Sequence, residues 1–217
     1  MEQRGLRVVS EFMTALAEHR TSDVLYRGHG DVAWHMTPSL HRPGARGIGG
    51  GAALSNWIRA AERFVSPLPR NDMEWLVLAQ HFGIPTALLD WTTSPLVALF
   101  FACAESRETD GCVWRVSTVA FKHWRYPDTV DPFLMERERP GLVHAAAMNA
   151  RSLAQDSAMS LHTRGQAIPS DLLRKVYVVR ACDKADTMNG LGLLGFTKER
   201  LFSDISVVVD NFRQGLN

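Results

Sequence analysis

At 217 residues, 46% hydrophobic and 22% charged, the chain has the composition of one globular domain large enough to bury a core without staples. The same numbers exclude a disordered chain, a collagen repeat and a disulfide scaffold. The net charge of +1 is too small for a global nucleic-acid footprint, but 20 of the 24 basic residues are arginine, the side chain that contacts phosphate bidentately.

A first helix is expected from about Arg7 to His19, within an N-terminal helical segment over residues 1–22, because Val8, Val9, Phe12, Met13 and Leu16 share a face. It is expected to pack on a sheet. Asp23 to Gly28 reads as a strand with Arg27 at its end, and Gly28-His29-Gly30-Asp31 as a turn. Trp34 to Leu40 is expected to be extended, and residues 42–51, rich in glycine, to form a flexible loop. Ala52 to Phe64 is a predicted helix, stopped by Ser66-Pro67-Leu68-Pro69. Asn71, with Glu74 three residues on, caps a predicted helix from Asp72 to Phe82, and Gly83 ends it. Ala87 to Trp91 is a predicted strand and Thr92-Thr93 a turn. Ser94-Pro95 then opens a helix through Ala104 that is apolar nearly all round and therefore buried.

Gly111 to Thr118 alternates as a strand does, and with Val119 to His123 it gives one or two strands. Arg125 to Met148 shows no pattern. Beyond it, Arg151 to Gln155 reads as a short helix or turn and Ala158 to His162 as a strand. Lys175 to Arg180 has the strongest β-branched content. Asp183 to Leu194 is a predicted helix stopped by Gly195, Lys198 to Phe202 a turn of helix, and Ser203 or Asp204 the cap of a last helix to Phe212. No repeat or linker divides the chain. The expected fold is a single α+β domain over residues 1–217, a mostly antiparallel split sheet flanked by helices.

The longest charge-free stretches, Leu76–Leu89 and Trp91–Ala104, fall short of the ~18 to 20 residues a membrane span needs. With no secretory leader pattern and three cysteines lacking C-x-x-C spacing, a reducing, cytoplasmic setting is expected. The eight histidines contain no pair at helical ligand spacing, so no metal is expected. The hydrolase, P-loop, dinucleotide-fold and zincin signatures are absent, and the glycines of Gly47 to Gly51 lack the Lys-Ser/Thr of a phosphate loop.

Polar information is densest from Gln80 to Ser94. Gln80 and His81 close one helix, Asp90 to Thr93 follow a buried strand, and Ser94 opens an apolar helix whose free N–H groups suit an anion. Taken singly, each has a plain structural role: Ser94 as a cap, Asp90 as a turn acceptor, His81 as a satisfied core histidine. Taken together, so many hydrogen-bonding groups beside apolar core segments point to a ligand.

The runs Gln80-His81-Phe82-Gly83-Ile84-Pro85-Thr86, Leu88-Leu89-Asp90-Trp91-Thr92 and Ser94 to Ala102 closely resemble the core signature of the FRG domain family. The family's aromatic-Arg-Gly element appears as Tyr26-Arg27-Gly28. Pro38-Ser39-Leu40 with Arg42, Arg151 with Gln155, and Leu201-Phe202 with Asp204 extend the likeness over roughly residues 6–214. The chain departs from it at Ala87, where the family usually has arginine, at Ser203 in place of proline, and at Ser157, where glycine is common. The arginine loss removes an anion contact at position 87.

The order of elements also resembles, more weakly, the NAD-binding core of ADP-ribosyltransferases. That resemblance implies NAD as substrate, with Arg27 on its pyrophosphate, Thr92 and Ser94 under the nicotinamide ribose, and Trp91 or Tyr26 stacked on the nicotinamide. Gln155 occupies the late-loop position, where the expected glutamate two residues on is Ser157. Asp90, Asp156 and Glu138 are the alternatives for the carboxylate that steadies an oxocarbenium-like sugar.

Three functional readings follow. The first is an NAD-consuming transferase or glycohydrolase acting on a protein or nucleic-acid acceptor or on water, with a toxin or phage-defence role. The second is a non-catalytic module for a nucleotide or a nucleic-acid end. The third is a hydrolase with His81 as base oriented by Asp90. The candidate catalytic residues are Arg27, His81, Asp90 and Gln155; the candidate binding residues are Tyr26, Gly28, Gln80, Thr86, Trp91, Thr92, Ser94 and Arg151.

Overall fold

The fold was analysed in a computed structural model that describes residues 2–18, 23–123, 130–134, 138–143 and 154–202. Six helices, α1 (Glu2–Ala17), α2 (Gly51–Ala61), α3 (Asp72–His81), α4 (Pro95–Ala104), α5 (Ala181–Leu193) and α6 (Lys198–Phe202), accompany seven strands among these residues. The strands are β1 (Val24–His29), β2 (Leu88–Thr92), β3 (Gly111–Ser117), β4 (Lys122–His123), β5 (Gly141–Val143), β6 (Ser157–Leu161) and β7 (Leu173–Val179). They form one sheet in the order β4-β5-β6-β2-β1-β3-β7, antiparallel except for the β4–β5 pair. The domain is therefore α+β with a mostly antiparallel sheet.

The sheet is continuous rather than split, but only just. β1 pairs with β3 along its whole length, Val24↔Ser117 to His29↔Cys112, and β2 pairs with β6 from Leu88↔Leu161 to Thr92↔Ser157. Between β1 and β2 a single register pair, Tyr26↔Thr92, joins the two halves.

Helices cover one face of each half. α1, α4 and α5 bury Val8, Val9, Phe12, Leu99, Phe100 and Leu191 against Val113 and Val179. α2 and α3 bury Leu54, Met73, Leu76 and Val77 against Leu88, Val143 and Leu161. A third cluster, with Leu25, Trp91, Val116, Phe121 and Ala158, fills the opposite face. Among the described residues no helix is long and apolar enough to cross a membrane.

Local rules set the helix ends. Asn71 Oδ1 accepts from the Glu74 N–H at 2.9 Å, and Gly83 takes the left-handed conformation (φ 81°) past the end of α3. Ser94 Oγ accepts from the Val97 N–H at 3.4 Å, with Pro95 in the first turn of α4. Gly195 (φ 82°) follows α5 as expected.

Several expectations need correction. α1 is Glu2–Ala17, and its main contact is α5 rather than the sheet, with Met13 exposed. β1 runs on through His29, so the predicted turn begins only at Gly30. Loop 42–51 is tied down: Ile48 is buried and its N–H donates to Pro85 O at 2.9 Å. The Ala52–Phe64 helix is an α-helix to Ala61 followed by a 3-10 turn over Glu62–Phe64. The expected last helix from Ser203 or Asp204 lies outside the described residues.

Candidate functional site

Where β1 and β2 part, a cavity of about 350 Å³ opens between α3, α4 and the strand ends. Tyr26, Arg27, Gly28 and His29 of β1 line it, together with Asp90, Trp91 and Thr92 of β2, Gln80 and His81 of α3, Phe101 and Glu105 from α4 and its end, Gln155, and Trp34 and Arg42 from the segment after β1. Nine of the twelve candidate residues thus meet in one place. Thr86 and Ser94 do not line the cavity, and Arg151 lies outside the described residues.

Arg27 spans the gap between the strands. Its Nη1 donates to the Asp90 backbone carbonyl at 2.6 Å and lies 3.8 Å from Asp90 Oδ2, while its Nε donates to His29 Nε2 at 3.1 Å. The side chain is 19% exposed, opening into the cavity. Burial pulls the guanidinium below its ordinary pKa and Asp90 opposes that shift, so the group stays cationic. His29 behind it is pushed down to about 3 by burial and by the Arg27 charge, which keeps its ring neutral.

Asp90 is the one exposed residue of β2, whose other four positions are buried. Its Oδ1 accepts the Gln80 amide at 2.6 Å; Gln80 Oε1 in turn accepts the Thr86 hydroxyl at 2.5 Å. Thr86, fully buried, also accepts the Leu88 N–H, and its backbone exchanges hydrogen bonds with the Ser39 hydroxyl. The Gln80-to-Thr86 part of the motif is therefore a brace that aims Asp90. Thr86 acts through Gln80 and touches nothing in the cavity.

Other motif residues are structural. Trp91, 3% exposed, lies in the third cluster beside Phe121, and its Nε1–H donates to Ser160 Oγ at 2.8 Å. Although Trp91 borders the cavity, its ring packs and hydrogen-bonds in that cluster, on the side of β2 opposite Asp90, which favours Tyr26 over Trp91 as a stacking face. Thr92 Oγ1 donates to Gln155 O at 2.7 Å and accepts from the Ser94 N–H at 3.0 Å, pinning the corner. Ser94 caps α4 and does not line the cavity.

Gln155 lines the cavity, but its amide is spent on Leu201 O at 3.1 Å. His81 also lines it, edge-on to Phe82. The Asp90 carboxylate is engaged by Gln80 and Arg27, an arrangement that does not build the expected His81–Asp90 pair. Gly28 is needed for packing: a Cβ there would lie 2.0 Å from Ala98 O of α4. Neither Asp156 nor Glu138 lines the cavity.

Sequence reasoning missed His29, Trp34 and Glu105, and gave Arg42 no role. Glu105 is set by Lys184, a buried ammonium that donates to the carbonyls of Gly30, Glu105 and Ser106 at 2.5, 3.0 and 2.9 Å. These bonds tie the end of α4 to the turn after β1, fixing the cavity's rim. A local signal existed for His29 alone, two residues after Arg27 on the same strand and so on the same face.

The arrangement suits a phosphate-bearing, partly aromatic ligand. Two guanidiniums and two carboxylates line the cavity together with the rings of Tyr26, Phe101 and Phe202, the last two packed edge to face. No curated protein and no solved structure matches the chain. Residues 22–111, from the start of β1 to the start of β3 and with most of the cavity's polar residues among them, match the FRG domain family. The family match thus takes in Arg27 and Asp90, while Gln155, Ser157, Met159 and Phe202 complete the cavity's lining from beyond it.

Proposed function

We propose that this cavity binds NAD and cleaves its nicotinamide–ribose bond, as an ADP-ribosyltransferase-like enzyme or an NAD glycohydrolase. The observation that carries the reading is the convergence of Arg27 and the exposed Asp90 carboxylate where the sheet parts, in a cavity also lined by aromatic rings. In this reading Arg27 holds the pyrophosphate and Tyr26 or Phe101 packs on the nicotinamide. Asp90, the one of the three carboxylates expected from sequence that lines the cavity, faces the ribose.

As the bond from ribose C1′ to the pyridinium nitrogen breaks, its electron pair leaves with nicotinamide and positive charge develops on the sugar. A fixed carboxylate, aimed by Gln80, stabilises that charge more than it does the ground state. An acceptor nucleophile or water then bonds to C1′ and gives up its proton. Expression as a toxic or phage-defence effector fits such chemistry.

A second reading, a nucleotide-binding module without turnover, is favoured by Gln155, whose amide is committed to Leu201 O rather than to a ligand. Incubation with NAD, scored by released nicotinamide and by label transfer to protein or nucleic acid, separates the two. The transferase reading expects release that falls at least about 100-fold in Asp90→Asn. Saturable NAD binding with no release under any acceptor selects the module, and absence of binding removes both.

A further inference from the structure

An arginine that only braces a fold is commonly matched by a carboxylate on its fork, which cancels its charge. Arg27 is held differently. Its Nε donates to the His29 imidazole and its Nη1 to the Asp90 backbone carbonyl, both neutral acceptors. The Asp90 carboxylate adds only a long ion pair at 3.8 Å, with its other oxygen taking the Gln80 amide. Among the described residues Nη2 donates to nothing, so the guanidinium presents an unfilled edge to the cavity.

His29 is built for this role. It is 3% exposed, with ring centres 6.1 Å from Trp34 and 6.4 Å from Trp114. Accepting at Nε2 places its one proton on Nδ1, a buried atom that meets no acceptor in good hydrogen-bond geometry and has only the Trp34 backbone nearby to favour its N–H. A buried polar atom left unsatisfied costs free energy and needs a reason. The geometry at the other nitrogen supplies the reason: the imidazole fixes the Arg27 side chain without neutralising it.

We infer that His29 is a positioning residue for Arg27, a neutral acceptor that locks the guanidinium across the parted strands and leaves its charge and Nη2 edge for the phosphate of a ligand. This rests on the nucleotide reading of the cavity. A carboxylate in its place would hold the arginine equally well but cancel its field. An apolar ring would leave Nε unsatisfied and free the side chain.

Calorimetric titration of the wild-type chain and of His29→Gln, His29→Glu and His29→Phe with pyrophosphate and with NAD tests this. His29→Gln, a neutral acceptor, keeps affinity within about threefold, whereas the Glu and Phe variants each lose at least about tenfold. The nitrogen-15 spectrum of the arginine side chains supplies a second readout. The Arg27 Nε–H stays protected in wild type, Gln and Glu and is lost in Phe. If the buried glutamate unfolds the domain, Gln against Phe decides alone.

Wild-type affinity in His29→Phe or in a folded His29→Glu, or a His29→Gln as weak as Phe, overturns the role of His29 and leaves the nucleotide reading standing. A wild-type chain that binds neither pyrophosphate nor NAD overturns both.

Discussion

Arg27 and Trp91 come from adjacent strands and have opposite roles. The Trp91 indole is sealed in the core and hydrogen-bonded to Ser160, which relays to His162 Nε2 at 2.7 Å. Its removal leaves a large void and an altered polar chain. Trp91→Ala is expected to cost about 3 to 5 kcal/mol in chemical denaturation, and Trp91→Phe about 1 to 2. The Phe variant should leave NAD affinity within about twofold, because the ring does not face the ligand. Arg27→Ala reverses the pattern. It removes a partly exposed cation held by two neutral acceptors and one long ion pair to Asp90, so the fold persists while NAD or pyrophosphate affinity falls at least about tenfold. A Trp91→Phe protein that is fully stable but cannot bind, or an Arg27→Ala protein that binds normally, would reverse this assignment.

At the level of elements, α1 is fastened to α5 by a crossing of two glycines and a cluster of charges. A Cβ on Gly190 would lie 2.6 Å from the backbone carbon of Gly5, and one on Gly5 would lie 1.9 Å from Asp186 O. Asp183, buried at the start of α5, takes Arg4 at 2.5 Å and Arg180 at 2.7 Å. Gly190→Ala gains about 1 kcal/mol of helix propensity, but the steric cost against backbone is larger, so a net loss of about 1 to 3 kcal/mol is expected. Gly192, two residues on in the same helix, has open space at its Cβ, and Gly192→Ala should stabilise by up to about 1 kcal/mol. Urea midpoints of the two variants should move in opposite directions; movement in the same direction would refute the crossing.

The same contrast explains what the sequence could convey. The α3 and α4 boundaries were legible because Asn71, Gly83, Ser94 and Pro95 act on their own turns. The joint placement of Arg27, Gln80 and Asp90 was legible from the motif. Illegible were the partners that only tertiary structure supplies. Nothing near Glu105 in sequence says that Lys184, 79 residues away, anchors its carbonyl. The alternation of β2 hid which of Asp90 and Trp91 faces the cavity, since a register is needed to choose. Gln155 stands at the late-loop position of the resemblance, and nothing near it in sequence announces the partner its amide takes, Leu201 O, 46 residues further on.

Across the whole molecule, the buried polar groups make stability fall on acidification, and the sign is the same for each. Burial, opposed by the Gln166 carbonyl, pushes His162 down to about 4, and burial with the Arg27 charge pushes His29 to about 3. Unfolded histidine titrates near 6.5, so below that pH the unfolded chain takes up protons that the folded chain refuses. Each ring then removes about 1.4 kcal/mol per pH unit until its folded pKa is reached. For Asp183, burial raises the carboxyl, but hydrogen bonds from Arg4 and Arg180 prevail and hold it below its usual value, so its contribution is lost only further down, through the carboxylate range. The urea midpoint should therefore be level from pH 8 to 7 and start to fall near pH 6.5. Between pH 6 and 5 about 2 kcal/mol should be lost, a large share of the ~5 to 15 kcal/mol typical of a domain. His162→Gln, whose amide can still accept from Ser160 and donate to Gln166 O, should roughly halve that slope. A wild-type curve that stays flat to pH 4.5 and then drops would assign acid sensitivity to the carboxylates alone, and would mean that neither buried imidazole keeps its neutral form at the expense of the fold.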